Sequence, residues 1–215
     1  MNPQTAKQTR RAYASPLRER QVEQTRDLVM QALAEQLAEG GTDDFNIPKV
    51  ARRAGVSVRT IYRYFPAKES LLEALAVWIN DRLVQMALPR TPEEIADNTE
   101  RAWAHFEENE TLMLAQLASP AGRAVRARGR RRRIAAYRAA LQEITGNLEP
   151  REVQSAIGAI TSIASLETWR AMKQDFGMGG DEPAKTVAWA LRALIADLRR
   201  RNEQAGKEVP RSPNA

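Results

Sequence analysis

The chain has 215 residues, 33 Lys or Arg against 27 Asp or Glu, 43% hydrophobic residues and no cysteine. That is enough apolar material for a core, and it excludes disulfide frameworks, thiolate metal sites and cysteine nucleophiles. The formal charge of +6 suits a polyanionic partner, and its distribution is uneven. Residues 1–70 hold 12 basic and 8 acidic side chains, residues 123–138 hold 8 arginines and no acid, and the remainder is net acidic.

The opening residues are polar and basic with no apolar run of signal-peptide length. No segment approaches the ~20 apolar residues of a membrane span. The expected location is therefore cytoplasmic, with no membrane partner. Hydrophobic spacing is helical throughout and nowhere alternates as a strand does, so the expected fold class is all-α.

Residues 1–14 read as a disordered basic arm, in which Lys7, Arg10 and Arg11, with Arg18 just beyond, are candidates for a minor-groove contact. A first helix starts near Ser15 and Pro16 or by Arg20. Val22, Thr25, Val29, Leu33 and Leu37 form its apolar stripe, and Gly40 and Gly41 end it. Asn46 is placed to cap a second helix that has Pro48 in its first turn, and Gly55 breaks that helix. Ser57 caps a third helix, 58–65, which Pro66 prevents from continuing. A fourth begins near Ala67 and Lys68 and reaches Ala87. Further helical patterns span 93–118, 120–144, 150–176 and 181–201, and residues 204–215 read as a disordered tail.

Two short helices joined through a glycine turn make a helix-turn-helix, whose second helix enters the major groove of DNA. On 58–65, Ile61 and Phe65 are spaced, with Val56, to anchor the helix, while Val58, Arg59, Tyr62 and Arg63 project away. Arg59 near the helix N-terminus suits guanine O6 and N7, and Val58 suits a thymine methyl. Thr60, Tyr62 and Tyr64 offer hydroxyls to phosphates, Arg63 offers charge, and Lys68 sits where a helix N-terminus favours an anion. Asn46 and Lys49, at the start of the second helix, complete the expected DNA-facing set.

The stretch FNIPKVARRAGVSVRTIYRYFPAKESLL resembles the DNA-binding signature of the TetR (tetracycline repressor) family, an Ala-Gly-Val-Ser turn before a Thr-x-Tyr-x-x-Phe helix and a following Lys. The likeness runs closely from Arg20 to Leu75. It implies phosphate contacts at Thr60, Tyr62, Tyr64 and Lys68 and base reading at Val58 and Arg59, with Tyr62 sometimes joining. Pro48, Thr42 and Arg59 depart from frequent family choices, and the last leaves the operator sequence open.

The resemblance also implies the plan of the whole chain. Residues 15–66 are the DNA-binding head and 67–203 a helical regulatory and dimerisation domain. The expected function is a homodimeric transcriptional regulator, a repressor released by a small-molecule effector, on a pseudo-palindromic operator, with no enzymatic activity and no cofactor or metal. Half-sites would lie about 34 to 36 Å apart or a multiple of this. The expected dimer stripes are Val153, Ile157, Ile160 and Ala164, and Val187, Leu191, Leu194 and Leu198. Ala156, Gly158, Ala159 and Ser162 permit close helix approach, and the alternative is that both stripes face the monomer core.

For an effector pocket the large apolar candidates are Trp78, Trp103, Phe106, Met113, Tyr137, Trp169 and Met172. His105, the only histidine, is assigned no role. The arginine run 123–138, including Arg130 to Arg133, reads as a solvated loop and helix start. Its alternative role is a second, sequence-neutral nucleic-acid contact.

Overall fold

The computed structural model describes residues 16–41, 45–82 and 87–208. The basic arm to residue 14, Thr42, and the last seven residues of the expected tail lie outside the described residues. Ten α-helices and one 3-10 turn, with no strand, make up the described residues. No described helix is long and apolar enough to cross a membrane.

Helix α1 (Pro16–Gly40) ends at Gly41, whose φ of 66° is left-handed backbone that glycine adopts without a Cβ clash. Its buried stripe is Val29, Met30, Leu33, Ala34 and Leu37. Val22 and Thr25 are only half-buried because this end runs past its neighbours. Helices α2 (Ile47–Ala54) and α3 (Val58–Tyr64) follow, and α4 (Lys68–Arg82) buries Leu71, Leu75, Ala76 and Ile79. The expected continuation of α4 to Ala87 falls on undescribed residues 83–86.

The pattern over 93–118 forms two helices rather than one. These are α5 (Pro92–Glu108) and α6 (Glu110–Ala118). The break is chemical, since the Asn109 side-chain amide donates to the His105 carbonyl at 2.9 Å, replacing a backbone bond. Residues 150–176 likewise split into α8 (Pro150–Ile163) and α9 (Leu166–Phe176), because the Ser165 hydroxyl accepts from the Thr168 N–H at 3.1 Å and starts a new helix. Between them in sequence, α7 (Pro120–Leu141) ends in a 3-10 turn, Gln142–Ile144.

The last helix, α10 (Glu182–Glu208), runs five residues beyond the expected start of the tail at 204. Asn147 clamps it there, donating its N–H to Asn202 Oδ1 at 2.7 Å and its side-chain amide to the Asn202 carbonyl at 3.1 Å. Its one proline, Pro183, sits in the first turn, where the missing N–H has no intrahelical partner to lose.

Helix α5 lies along α10, α6 is held between α1 and α7, and α8 packs on α7 and α10. In this arrangement the expected dimer stripes lie largely within the single chain. Ile157, Ile160, Val187, Leu191 and Leu198 are buried in the single chain, and Val153, Ala164 and Leu194 pack against the same core. The hydrophobic effect on those stripes is already satisfied by α5 and α7 within the monomer. At the seam between α5 and α10, Arg192 reaches Asp97 at 2.9 Å and Glu100 at 2.8 Å, and Arg199 reaches Glu93 at 2.6 Å.

Candidate nucleic-acid interface and adjoining cavity

The head is built from capped, short helices. Asn46 Oδ1 accepts from the Lys49 N–H at 2.8 Å and so starts α2, after which Gly55 (φ 68°) turns the chain. The Ser57 hydroxyl accepts from the Thr60 N–H at 3.0 Å and starts α3. With only seven residues, α3 holds its position by packing rather than by propensity. Ile61 is fully buried, Phe65 is 3% exposed, and the Arg26 guanidinium lies 5.5 Å from the Phe65 ring centre.

The opposite side of α3 is open. Val58, Arg59, Tyr62 and Arg63 are exposed, Tyr62 by 48%. No described residue partners Arg59 or Tyr62, so both are available. Tyr64 is half-buried and differs from this pair, because its hydroxyl accepts from Arg63 Nη2 at 3.0 Å and the Arg63 guanidinium stacks 4.8 Å from its ring centre. Thr60 shares a 2.8 Å hydrogen bond with Ser57. Lys68 is exposed at the start of α4, its ammonium 4.6 Å from the Phe45 ring centre. Asn46 has its carbonyl oxygen committed to the cap, which leaves only its amide N–H groups for another partner. Arg53 is tied back to Glu39 at 3.0 Å, whereas Arg52 is exposed and unpartnered among the described residues; it was not among the expected contacts.

Residues 29–75 match the family model described as bacterial regulatory proteins, tetR family. The family likeness therefore lies in the head, from the middle of α1 into α4. The whole fold is similar to a TetR-like transcriptional regulator from Rhodococcus sp. RHA1, with a TM-score of 0.63 at 15% identity over 80% of this chain and 93% of that one. It is also similar to a putative transcriptional regulator from Pseudomonas aeruginosa PAO1, with a TM-score of 0.57 at 17% identity over 83% and 94%. For a tetR-family regulator from Streptomyces coelicolor the values are 0.52 and 21%, over 86% of each chain. No curated protein matches the sequence significantly. These likenesses show the fold of such regulators over most of the chain.

Beyond the head, a cavity of about 220 Å³ lies among α4, α5, α6 and α7. Of the seven pocket candidates, Trp103, Phe106 and Tyr137 line it. The other four pocket candidates do not. Met113 and Trp169 are sealed in the core, Met172 packs against that core, and Trp78 lines an open groove on α1 and α4, donating to Asp27 at 2.8 Å. Met113, Trp169 and Met172 fill space between helices, which is the commoner use of a large apolar side chain.

The arginine run is also corrected. It is one continuous helix, with Gly129 inside it, and its charges have separate tasks. Arg123 donates to the Leu117 and Ala118 carbonyls at 3.0 Å each, closing the end of α6. Arg130 pairs with Glu167 at 3.2 Å and Arg138 bonds Gln154 at 2.8 Å. Arg126, Arg132 and Arg133 line the cavity. Only Arg128 and Arg131 are exposed without a described partner or a place in the cavity wall. His105, given no role from the sequence, lines the cavity as well.

Proposed function

We propose that this protein is a homodimeric, ligand-responsive transcriptional repressor that reads a pseudo-palindromic operator through α3. In this reading residues 15–66 are the DNA-binding head, the helices from residue 67 onward form the regulatory and dimerisation body, and the protein works in the cytoplasm. The observation that carries the reading is the two-sidedness of α3. Its Ile61 edge is buried while Arg59 and Tyr62, unpartnered, stand outward on a helix fixed by the Ser57 cap. Such a helix presents base-reading and phosphate-binding groups at small entropic cost. Val58, Arg63, Thr60, Tyr64, Lys49 and Lys68 surround that face as its positioning contacts.

For the dimer, the outward faces of α8 and α10 replace the buried stripes. Ser155, Gly158, Ala159 and Ser162 are exposed on one face of α8, and Trp189, Ala193 and Ala196 on one face of α10. Trp189 is 70% exposed, an unusual position for the largest apolar side chain, and small residues on α8 let a second helix approach closely.

Selection of random duplex DNA on the full-length protein at physiological salt tests the reading. An inverted repeat in the bound pool is expected. A pool without consensus would overturn it in favour of sequence-neutral binding through the 123–138 run.

A further inference from the structure

The walls of the cavity carry an unbalanced charge. Arg126, Arg132 and Arg133 are among the lining residues, and no Asp or Glu is. The imbalance is sharpest at Arg126, whose side chain is largely buried and makes a single hydrogen bond, Nη1 to the neutral Gln116 Oε1 at 3.3 Å. Its Nε is buried with no partner. No carboxylate among the described residues lies within ion-pair distance of it. Glu167, the acid whose field favours its charge, is engaged by Arg130, and both Arg130 and Arg133 oppose that charge.

Two further donors are unsatisfied. Asn109 Nδ2 lies 3.3 Å from His105 Nδ1, with Glu108 Oε2 at 3.6 Å, and where the amide donates to Nδ1 the ring N–H is the one on Nε2. That Nε2 is buried without a partner, as is Trp103 Nε1. Buried donors normally find acceptors, so a group of orphaned donors around one cavity marks an absent acceptor. Water satisfies an N–H but neutralises no charge. At ~30 Å³ per molecule the space holds roughly seven waters, or one small ring compound. The remaining wall is apolar or aromatic, with Leu88, Pro89, Ala102, Phe106 and Val125.

We propose that the cavity takes a small organic carboxylate with an apolar or aromatic body, its carboxylate paired with Arg126 and its body against Phe106, Leu88 and Val125. A guanidinium matches a carboxylate with two parallel N–H···O bonds, which supplies both charge and orientation. The proposal rests on the reading of the body as effector-binding and names the chemical class of the effector.

Calorimetric titration of the full-length protein tests it with acetate, benzoate, phenylacetate and salicylate, the isosteric amides, benzylamine and inorganic phosphate as probes. At least one aryl carboxylate is expected to bind tenfold or more tightly than its amide. Arg126→Met, with an unchanged circular dichroism spectrum, is expected to remove that preference. Gln116→Glu keeps the arginine and supplies an internal carboxylate in its place, so it should weaken the same ligand at least tenfold. Equal binding of amide and acid, preferential binding of benzylamine, phosphate binding without carboxylate binding, or an unchanged preference in both variants would overturn the assignment. Operator binding of the same preparation separates the two readings. A consensus operator without carboxylate preference sinks the anion site alone, and carboxylate binding by a protein without an operator sinks the regulator alone.

Discussion

Replacing Arg126 by Met is expected to stabilise the ligand-free protein. Burial pushes the guanidinium from its ordinary value down to about 10. At ~1.4 kcal/mol for each tenfold change in the proton equilibrium, the folded chain carries a net penalty of about 3 kcal/mol on the charged form, desolvation first and repulsion from Arg133 and Arg130 after it, with Glu167 offsetting part. Methionine fills similar volume without charge. Part of the gain is lost through the arginine stem's contacts and the Gln116 oxygen left unpaired, so about 2 kcal/mol should remain. For a chain of this length that raises Tm by roughly 4–8 °C. The sign with pH follows from the direction of the shift. A cation whose folded pKa is lowered is penalised fully below about 10, and the penalty fades as pH rises through that value toward the unfolded one. The Tm difference between variant and parent should therefore be full at pH 7 and smaller above pH 10, read by differential scanning calorimetry in carboxylate-free, phosphate-free buffer. A variant that melts below the parent at pH 7 would refute the reasoning, because it would mean that Arg126 is already compensated.

Other expectations concern the head, the helix packing and the dimer. Tyr62→Ala should weaken operator binding by about 1–3 kcal/mol at fixed salt, with the oligomeric state unchanged by sedimentation; unaltered affinity would remove Tyr62 from the DNA surface. Gly122→Ala should be strongly destabilising, since a Cβ there would lie 2.2 Å from the Gln116 backbone carbonyl oxygen, and a Tm within a degree of the parent would show that α6 and α7 separate easily. By contrast Gly55→Ala meets no neighbouring atom but must hold φ near 68°, a strain of about 1–2 kcal/mol, measurable by urea unfolding. Trp189→Glu, on the outward face of α10, is expected to yield monomers that keep their helical content and lose operator affinity; an intact dimer in sedimentation would place the interface elsewhere.

The head was legible because its signals are local. Asn46, Gly55, Ser57 and Pro66 each determine the backbone within a few residues of themselves, and the structure uses the first three as caps and a left-handed turn where the sequence placed them. The breaks at Asn109 and Ser165 escaped notice because each depends on one side chain competing with a backbone bond inside an otherwise helical pattern. The expected dimer stripes are a different case. Apolar periodicity identifies a buried face without saying which helix buries it, and in α8 and α10 that helix belongs to the same chain. Arg126 was hidden among eight arginines, yet a signal existed. Gly122, Arg126, Arg133, Tyr137 and Ala140 fall on one face of α7, and three of the five are buried. A charge at a core phase of a helix indicates a buried function more strongly than the charge density of the run around it.

The anion site and the head meet at α4. Asn80 on α4, the segment carrying Ala87, Leu88 and Pro89, and Arg126 on α7 share the cavity, while Lys68 at the other end of α4 follows α3 after three residues. A ligand changes DNA affinity only through its different affinities for two arrangements of the protein. Neutralising Arg126 supplies up to about 3 kcal/mol, but α7 holds the guanidinium in either arrangement, so most of that energy favours both equally and gives affinity rather than regulation. Regulation must come from contacts to the α4 side of the cavity, where a coupling of 1–3 kcal/mol corresponds to roughly 5- to 150-fold in operator affinity. The two parts of the ligand should therefore separate. A short acid such as acetate, at saturation, is expected to occupy Arg126 and protect the protein thermally while leaving it on the operator. An aryl acid long enough to reach Leu88 is expected to release it. Competition fluorescence anisotropy on a labelled operator measures both, and release by saturating acetate equal to that by the aryl acid would show that charge neutralisation itself moves α4.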